Sequence, residues 1–181
     1  LDNSIFTDDQ YLEFRDPMKK TYSFYSESDL KYRYLRNKYF TTIKFNDHMK
    51  KFFTEKKFMD DIDPKKIWMN ESDLLNLVDS NNIIGLHSYS HHINFENLSY
   101  DEQLIEYKKN ISHLENISGY KIISASHPLG SYNSDTLKVL KSLGIECAFR
   151  SSNTIPATSD IINPNELELA RVDVCDIIKQ R

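Results

Sequence analysis

Glycine is the residue that most constrains this chain. There are four, Gly85, Gly119, Gly130 and Gly144, and none falls in the first 84 of the 181 residues. A wound α/β sheet spends glycines on its tight turns, so the first half is expected to hold helices and long loops. There, Ser28 is placed to cap a helix through about Asn37 that carries Leu30, Tyr34 and Leu35. Asn46 is placed to cap a second, with Met49, Phe52 and Phe53 on one side and lysines on the other. Those aromatics read as packing groups. Pro64 marks a boundary, so residues 1–64 are read as a helical insertion or arm and 65–181 as an α/β portion.

From about residue 66 the pattern changes. Ser72 to Asp79 reads as a short helix and Asn82 to Leu86 as an apolar strand. Ser99-Tyr-Asp-Glu102 is a capping box, opening a helix with Leu104, Tyr107, Ile111 and Leu114 at spacings of three and four and closing near Gly119. Tyr120 to Ala125 reads as a strand, Ser134 as the cap of a helix ending at Gly144, and Ile145 to Phe149 and Leu167 to Val172 as further strands. Strand–helix–strand–helix–strand is the signature of a parallel sheet with crossover helices.

Composition excludes several classes. The net charge of −4, with signs interspersed, argues against nucleic-acid binding, which wants a basic face. A mean hydropathy of −0.58 and the absence of an apolar run near 18 residues argue against a membrane span. Hydrophobic residues at 39% supply a core. Cys147 and Cys175 are too few for a disulfide framework and read as reduced thiols, so a cytoplasmic location is expected. Leu1 in place of Met points to processing or to a piece of a longer chain.

Three of the six histidines fall in His87-Ser-Tyr-Ser-His91-His92, just after the strand ending at Leu86. A second polar loop, Ser126-His-Pro-Leu-Gly-Ser-Tyr-Asn133, follows the next strand. Both leave the carboxyl ends of expected parallel strands, where α/β folds place their sites. If the first loop coils into a helical turn, His87 and His91 point the same way and can share a metal. His92 reads as a structural or supporting group, His48 and His113 as exposed, and His127 as a site candidate. Pro128 and Gly130 make the second loop a fixed turn, able to aim backbone N–H groups at an oxyanion or to serve as an ordinary β–α turn. Tyr89 and Tyr132, inside the two loops, are candidate aromatic platforms for a ligand face.

At this point the residues reach a family. Ile84-Gly-Leu-His-Ser-Tyr-Ser-His91 resembles the second motif of polysaccharide deacetylases, the nodulation-type or family-four carbohydrate esterases, Ile-Gly-(Ser/Asn)-His-(Ser/Thr)-x-x-His. Ser126-His-Pro-Leu-Gly-Ser-Tyr-Asn resembles the third motif in its Tyr-Pro-Tyr-Gly-Ser-Tyr-Asn form. Leu98-Ser-Tyr-Asp-Glu resembles the helix start between the two, Thr136 to Ile145 with Ala148-Phe149 the following helix and strand, and Leu169-Ala-Arg-Val-Asp173 the late Leu-Pro-Arg-x-Asp segment. Order and spacing agree over about residues 66 to 178.

The resemblance implies a distorted (β/α) barrel. It implies a divalent metal, usually zinc, held by one aspartate and by the histidines carried onto His87 and His91. Water activated at the metal then attacks the acetamide carbonyl of an N-acetylated sugar, which as a neutral amide needs both a Lewis acid and an activated nucleophile. The Leu129 N–H helps bind the oxyanion, Pro128, Gly130 and Tyr132 wall the cleft, and Arg171 with Asp173 supports the site floor, where a buried arginine needs a carboxylate. The activity expected is a metal-dependent carbohydrate N-deacetylase, in surface-glycan synthesis; the alternative is a degenerate relative that binds sugar or protein.

The departures are specific. The first motif, Thr-Phe-Asp-Asp-Gly, supplies the base and the third ligand, and only Thr7-Asp-Asp-Gln10 mimics it, without an apolar strand before it. Asp8 and Asp9 therefore read as solvated loop aspartates, with Asp9 a weak candidate base. The third motif's arginine is Ser126, and no late Leu-x-His occurs before Arg181, so the acid is unassigned and His127 is an outside candidate. The barrel is thus expected to be incomplete, finished by an upstream segment or by a second chain pairing with an open strand edge.

Overall fold

The computed structural model of the protein describes residues 3–57, 63, 66–156, 159–172, 174 and 177. The chain divides into two units, Leu1–Ile67 and Trp68–Arg181.

The first unit is helical. α1 (Asp9–Thr21), α2 (Glu27–Tyr34) and α3 (Thr42–Glu55) follow one another, with a π-helical segment, Leu35–Tyr39, continuing α2. Each helix begins on a side-chain cap: Asp8, Ser26 and Thr41 accept the N–H of Tyr11, Asp29 and Lys44. The aspartates read as loop residues are therefore a helix start, with Asp8 the cap and Asp9 in the first turn, and both exposed. Asp16-Pro17 hides this helix from a pattern reading, because an interior proline removes an N–H and ordinarily breaks the ladder. The caps expected at Ser28 and Asn46 fall instead at Ser26 and Thr41. Rings hold the unit together. Tyr11, Leu30, Tyr34 and Phe45 are buried, with edge-on contacts of 5.2 Å between Tyr11 and Tyr34 and 5.5 Å between Tyr32 and Phe45.

The second unit holds the sheet. Its helices are α4 (Glu71–Asp79), α5 (Tyr100–Ser118) and α6 (Ser134–Ser142), and its strands β1 (Ser124–Ser126) and β2 (Cys147–Phe149). The Ser99–Glu102 capping box forms, and Gly119 ends α5. α6 is capped by Asn133 rather than Ser134, because the longer side chain reaches the N–H groups of both Asp135 and Thr136. β1 and β2 pair in parallel, Ala125 opposite Ala148. Leu86 adds to the outer side of β1, and Leu169 to the outer side of β2, both as single parallel bridges. The four strand positions expected from the sequence thus lie side by side in chain order, though two are single bridges and the others three residues long. That is the neighbour order of a (β/α) barrel rather than of a doubly wound sheet. The described residues form an arc of it.

The arc buries one core: Leu86, Ile122, Ala125, Ile145 and Ala148 from the sheet, Tyr107 from α5, Val139 and Leu140 from α6, and Phe95 from the connection before α5. Gly85 is required by close approach, since a Cβ there would stand 2.7 Å from the Ser124 hydroxyl and 3.1 Å from its carbonyl oxygen. Among the described residues no helix is long and apolar enough to cross a membrane.

Candidate functional site

Two loops leave the same end of the sheet. The Leu86 N–H donates to the Ser124 carbonyl and the Ser126 N–H to the Leu86 carbonyl, each at 2.8 Å, so His87 and His127 step off adjacent strands. The first loop is not the helical turn expected. Ser88 and His91 adopt left-handed backbone, φ 58° and 52°, and the Ser88 hydroxyl accepts the His91 N–H at 3.0 Å. Each such non-glycine position costs about 1–2 kcal/mol and persists only where its surroundings hold it. α5 does the holding. Asn110 Oδ1 accepts the His87 N–H, and Glu106 Oε2 accepts the N–H groups of Tyr89 and Ser90 and the Ser90 hydroxyl.

The tightened loop brings the two imidazoles together, with ring centroids 4.9 Å apart. His87 Nδ1 lies 2.8 Å from the Ser126 carbonyl oxygen. A carbonyl only accepts, so Nδ1 carries the proton and Nε2 presents a lone pair, the tautomer of a metal-ligating histidine. Both rings belong to exposed residues. His92 is half-buried, its Nδ1 without a hydrogen-bond partner among the described residues.

The second loop turns at Pro128–Gly130, where the Gly130 N–H donates to the His127 carbonyl. Leu129 is left-handed (φ 54°, ψ 13°) and 55% exposed, and its N–H meets no acceptor among the described residues. Gly130, at φ 73°, has no room for a side chain, because a Cβ would overlap the Ser151 hydroxyl. His127 is buried, its ring stacked 4.2 Å from that of Tyr132. Its Nε2 donates to the Leu167 carbonyl at 2.8 Å, and its Nδ1 has no partner among the described residues. Burial holds its pKa below the ordinary histidine value. A neutral ring with its one N–H committed to the main chain supports the loop; it is not poised as a general acid.

Beneath the loop lies a polar layer that the sequence did not reveal. Arg150 is 3% exposed and donates to three carbonyls, from Nε to Glu168 and from its two terminal nitrogens to Thr154 and Ile162. The buried Glu168 carboxylate accepts from the Tyr132 hydroxyl at 2.9 Å and from Asn165 Nδ2. Arg171, expected to be the buried arginine, is exposed, and the carboxylate expected to pair with it, Asp173, lies outside the described residues. Arginine and glutamate are surface residues by default, and the weak signal that could have found this pair is its place at the ends of β2 and of the Leu169 bridge.

No group of three or more His, Cys, Asp or Glu side chains able to hold a metal occurs among the described residues. The His87–His91 pair therefore fits a divalent cation as two donors of a larger set. Asp9 belongs to α1 of the first unit.

The family profile described as polysaccharide deacetylase matches residues 33–148, more than half of the chain. No curated protein matches. Among solved structures, the chain is similar to the deacetylase PplD of Streptococcus pyogenes in complex with acetate (20% identity, TM-score 0.45), covering 47% of this chain and 37% of that one. It is similar to a CE4 family pseudoenzyme of Bacillus anthracis (26%, TM-score 0.42), covering 44% and 28%. It is similar also to the BpsB deacetylase domain of Bordetella bronchiseptica (16%, TM-score 0.43), covering 48% and 43%. The match thus spans less than half the length of each of these chains.

Proposed function

The chain belongs to the polysaccharide deacetylase family, and on that premise we propose that it removes an N-acetyl or related acyl group from a carbohydrate with the help of a divalent metal held by His87 and His91. The observation that carries this reading is the imidazole pair itself: rings 4.9 Å apart, with His87 fixed by the Ser126 carbonyl so that Nε2 is left to bind. A divalent cation there, zinc for a site of imidazole nitrogens, supplies a Lewis acid for an amide carbonyl. The chain's own residues position the loops and the substrate. Glu106 and Asn110 hold the histidine loop in its left-handed turn. The unpaired Leu129 N–H is the donor offered to a developing oxyanion. Pro128, Gly130 and Tyr132 wall the cleft, and Tyr132 is fixed by His127 and Glu168. The third ligand and the base come from two carboxylates on a segment or second chain that completes the barrel beside Leu86.

One observation favours a second reading. The lack of a three-ligand group among the described residues suits a non-catalytic relative that binds sugar or a protein partner. Zinc titration of the 181-residue chain by calorimetry, beside His87→Ala and His91→Ala, tests the metal site. One zinc per chain is expected, weakened in either variant by more than the roughly 10- to 100-fold that loss of an outer-shell partner costs. Unchanged affinity in both variants defeats the assignment. Acetate release from an N-acetylated oligosaccharide with zinc present, measured on the chain extended by the segment that supplies the carboxylates, separates the two readings, since the non-catalytic relative releases none.

A further inference from the structure

The histidine loop has a second face. Tyr89, inside it, lines an open groove of about 540 Å³ with Lys108, Lys109, Ser112, His113 and Asn116 of α5. The helix residues form two adjoining rows, Lys108–Ser112–Asn116 and Lys109–His113, so they present one continuous face. Tyr89 is 58% exposed, and the Lys109 ammonium stands 5.8 Å from its ring centroid. The other candidate platform, Tyr132, is occupied by His127 on one face and by Glu168 at its hydroxyl, which leaves Tyr89 as the open ring.

Charge makes the groove distinctive. The chain carries a net charge of −4, yet no carboxylate lines this groove, and neither Lys108 nor Lys109 has an ion-pair partner among the described residues. The acids of α5 nearest in sequence to these lysines have main-chain partners: Glu106 the N–H groups of Tyr89 and Ser90, and Glu115 the N–H of Ile122. Cations flanking a free aromatic ring, two residues along the chain from His87 and from His91, form a surface for a ligand that is part apolar ring and part anion.

We propose that this groove binds the acidic substituent of an anionic glycan, so that the substrate class is a polysaccharide with acidic groups beside its N-acylated sugars. The inference rests on the carbohydrate reading above and deepens it. The sugar ring lies on Tyr89, its anionic group meets Lys108 and Lys109, and the neighbouring acylated sugar is directed toward His87 and His91. Ser112 and Asn116 offer hydroxyl and amide groups to the remaining sugar oxygens.

The test is a ratio of affinities measured on the 181-residue chain by calorimetry. One probe is a hyaluronan hexasaccharide, in which N-acetylglucosamine alternates with a uronic acid; the other is the same hexasaccharide with its carboxyl groups reduced to alcohols. The acidic probe is expected to bind roughly 5- to 20-fold tighter at low salt, as two surface charge pairs allow, and the ratio to fall toward one in 0.5 M salt. Lys108→Ala/Lys109→Ala should bring the ratio close to one, and Lys108→Glu/Lys109→Glu should invert it. Alanine is the best helix former, so the first double variant keeps α5, which circular dichroism checks. A ratio of one in the unaltered chain, or one unchanged in the double variants, overturns the groove proposal and leaves the deacetylase reading standing. Failure of both probes to bind overturns the groove together with the carbohydrate reading. Tighter binding of single-stranded oligothymidylate than of the acidic hexasaccharide overturns the glycan as occupant.

Discussion

The two units of this chain use buried side chains in opposite ways. In the first, the buried residues are Tyr11, Leu30, Tyr34 and Phe45, and among the described residues no charged or amide side chain is buried with them. In the second, Ser88, Gln103, His127, Thr136, Arg150 and Glu168 are buried alongside an aliphatic core. Rings and leucines gain from leaving water whatever their orientation. A buried polar group gains nothing unless its partner stands at one distance and angle. The second unit is therefore the one whose loops are specified in detail, and four of the six buried polar residues among its described residues fall at strand ends: Ser88 after Leu86, His127 after β1, Arg150 after β2 and Glu168 before Leu169. Ordered structure at those ends is what a site needs; the ring-packed unit needs only to be covered.

The sharpest way to break this contrast is Arg150→Met. The change keeps the bulk and strands three carbonyls that the guanidinium now serves. A loss of about 3–5 kcal/mol is expected in urea unfolding followed by circular dichroism, the size seen when one partner of a buried charged network is removed. A loss under about 1 kcal/mol would mean that the guanidinium does not hold the layer together.

Arg150 also marks the limit of what the sequence discloses. The Ser99–Glu102 box, the α5 stripe and the order of the four strands are local signals, each readable within about ten residues, and each is found where expected. The approach of the two loops follows from parallel pairing alone. What stayed hidden depends on distant or atypical choices. α1 forms despite Pro17, because ring contacts from Tyr11 and Phe14 to Tyr34 outweigh one missing hydrogen bond. The turn that joins His87 to His91 uses left-handed Ser88 and His91, a conformation uncommon for any residue but glycine, and is held by Glu106 from 16 and 17 residues away. The Arg150–Glu168 layer spans 18 residues with types that are usually solvated.

His127 offers a smaller test of the same polar layer. Its folded pKa lies below the free value of about 6.5 because burial penalises the charged ring. Below that value the unfolded chain binds a proton that the folded chain refuses, so unfolding takes up protons and stability falls with acidification. The slope approaches about 1.4 kcal/mol per pH unit once the unfolded histidine is charged and the folded one is not. His127→Gln, whose amide can still donate to the Leu167 carbonyl, should flatten the fall in stability between about pH 7 and pH 5. An identical fall in both proteins would show that the buried ring does not set the acid limit.

In the first unit the matching substitution is Tyr11→Phe. It removes the 2.7 Å hydrogen bond to Glu27 and leaves the ring contacts with Phe6 and Tyr34 intact. Glu27 is exposed and regains water, so the expected cost is about 0.5–1.5 kcal/mol. A cost above about 2 kcal/mol would place a structural polar pair inside the ring-packed unit and erase the contrast with the other.

The smallest expected effect has the opposite sign. Tyr107 is fully buried in the second unit, edge-on to Phe95 at 5.0 Å, and its hydroxyl has no partner among the described residues. Burial alone drives its pKa far above the ordinary tyrosine value. The buried polar side chains of α5 and α6 beside it are engaged: Gln103 donates to the Leu98 carbonyl and accepts from the Thr136 hydroxyl, which in turn accepts the Asn133 N–H. An unanswered hydroxyl in such a core is a net cost, which Tyr107→Phe removes along with one oxygen's worth of contact. The removed cost outweighs the lost contact, and a gain of about 0.5–1 kcal/mol is expected, a rise of a few degrees in Tm for a unit of this size. A loss of similar size would show that the hydroxyl is answered after all, and that the polar layer beside the histidine loops reaches down through α5.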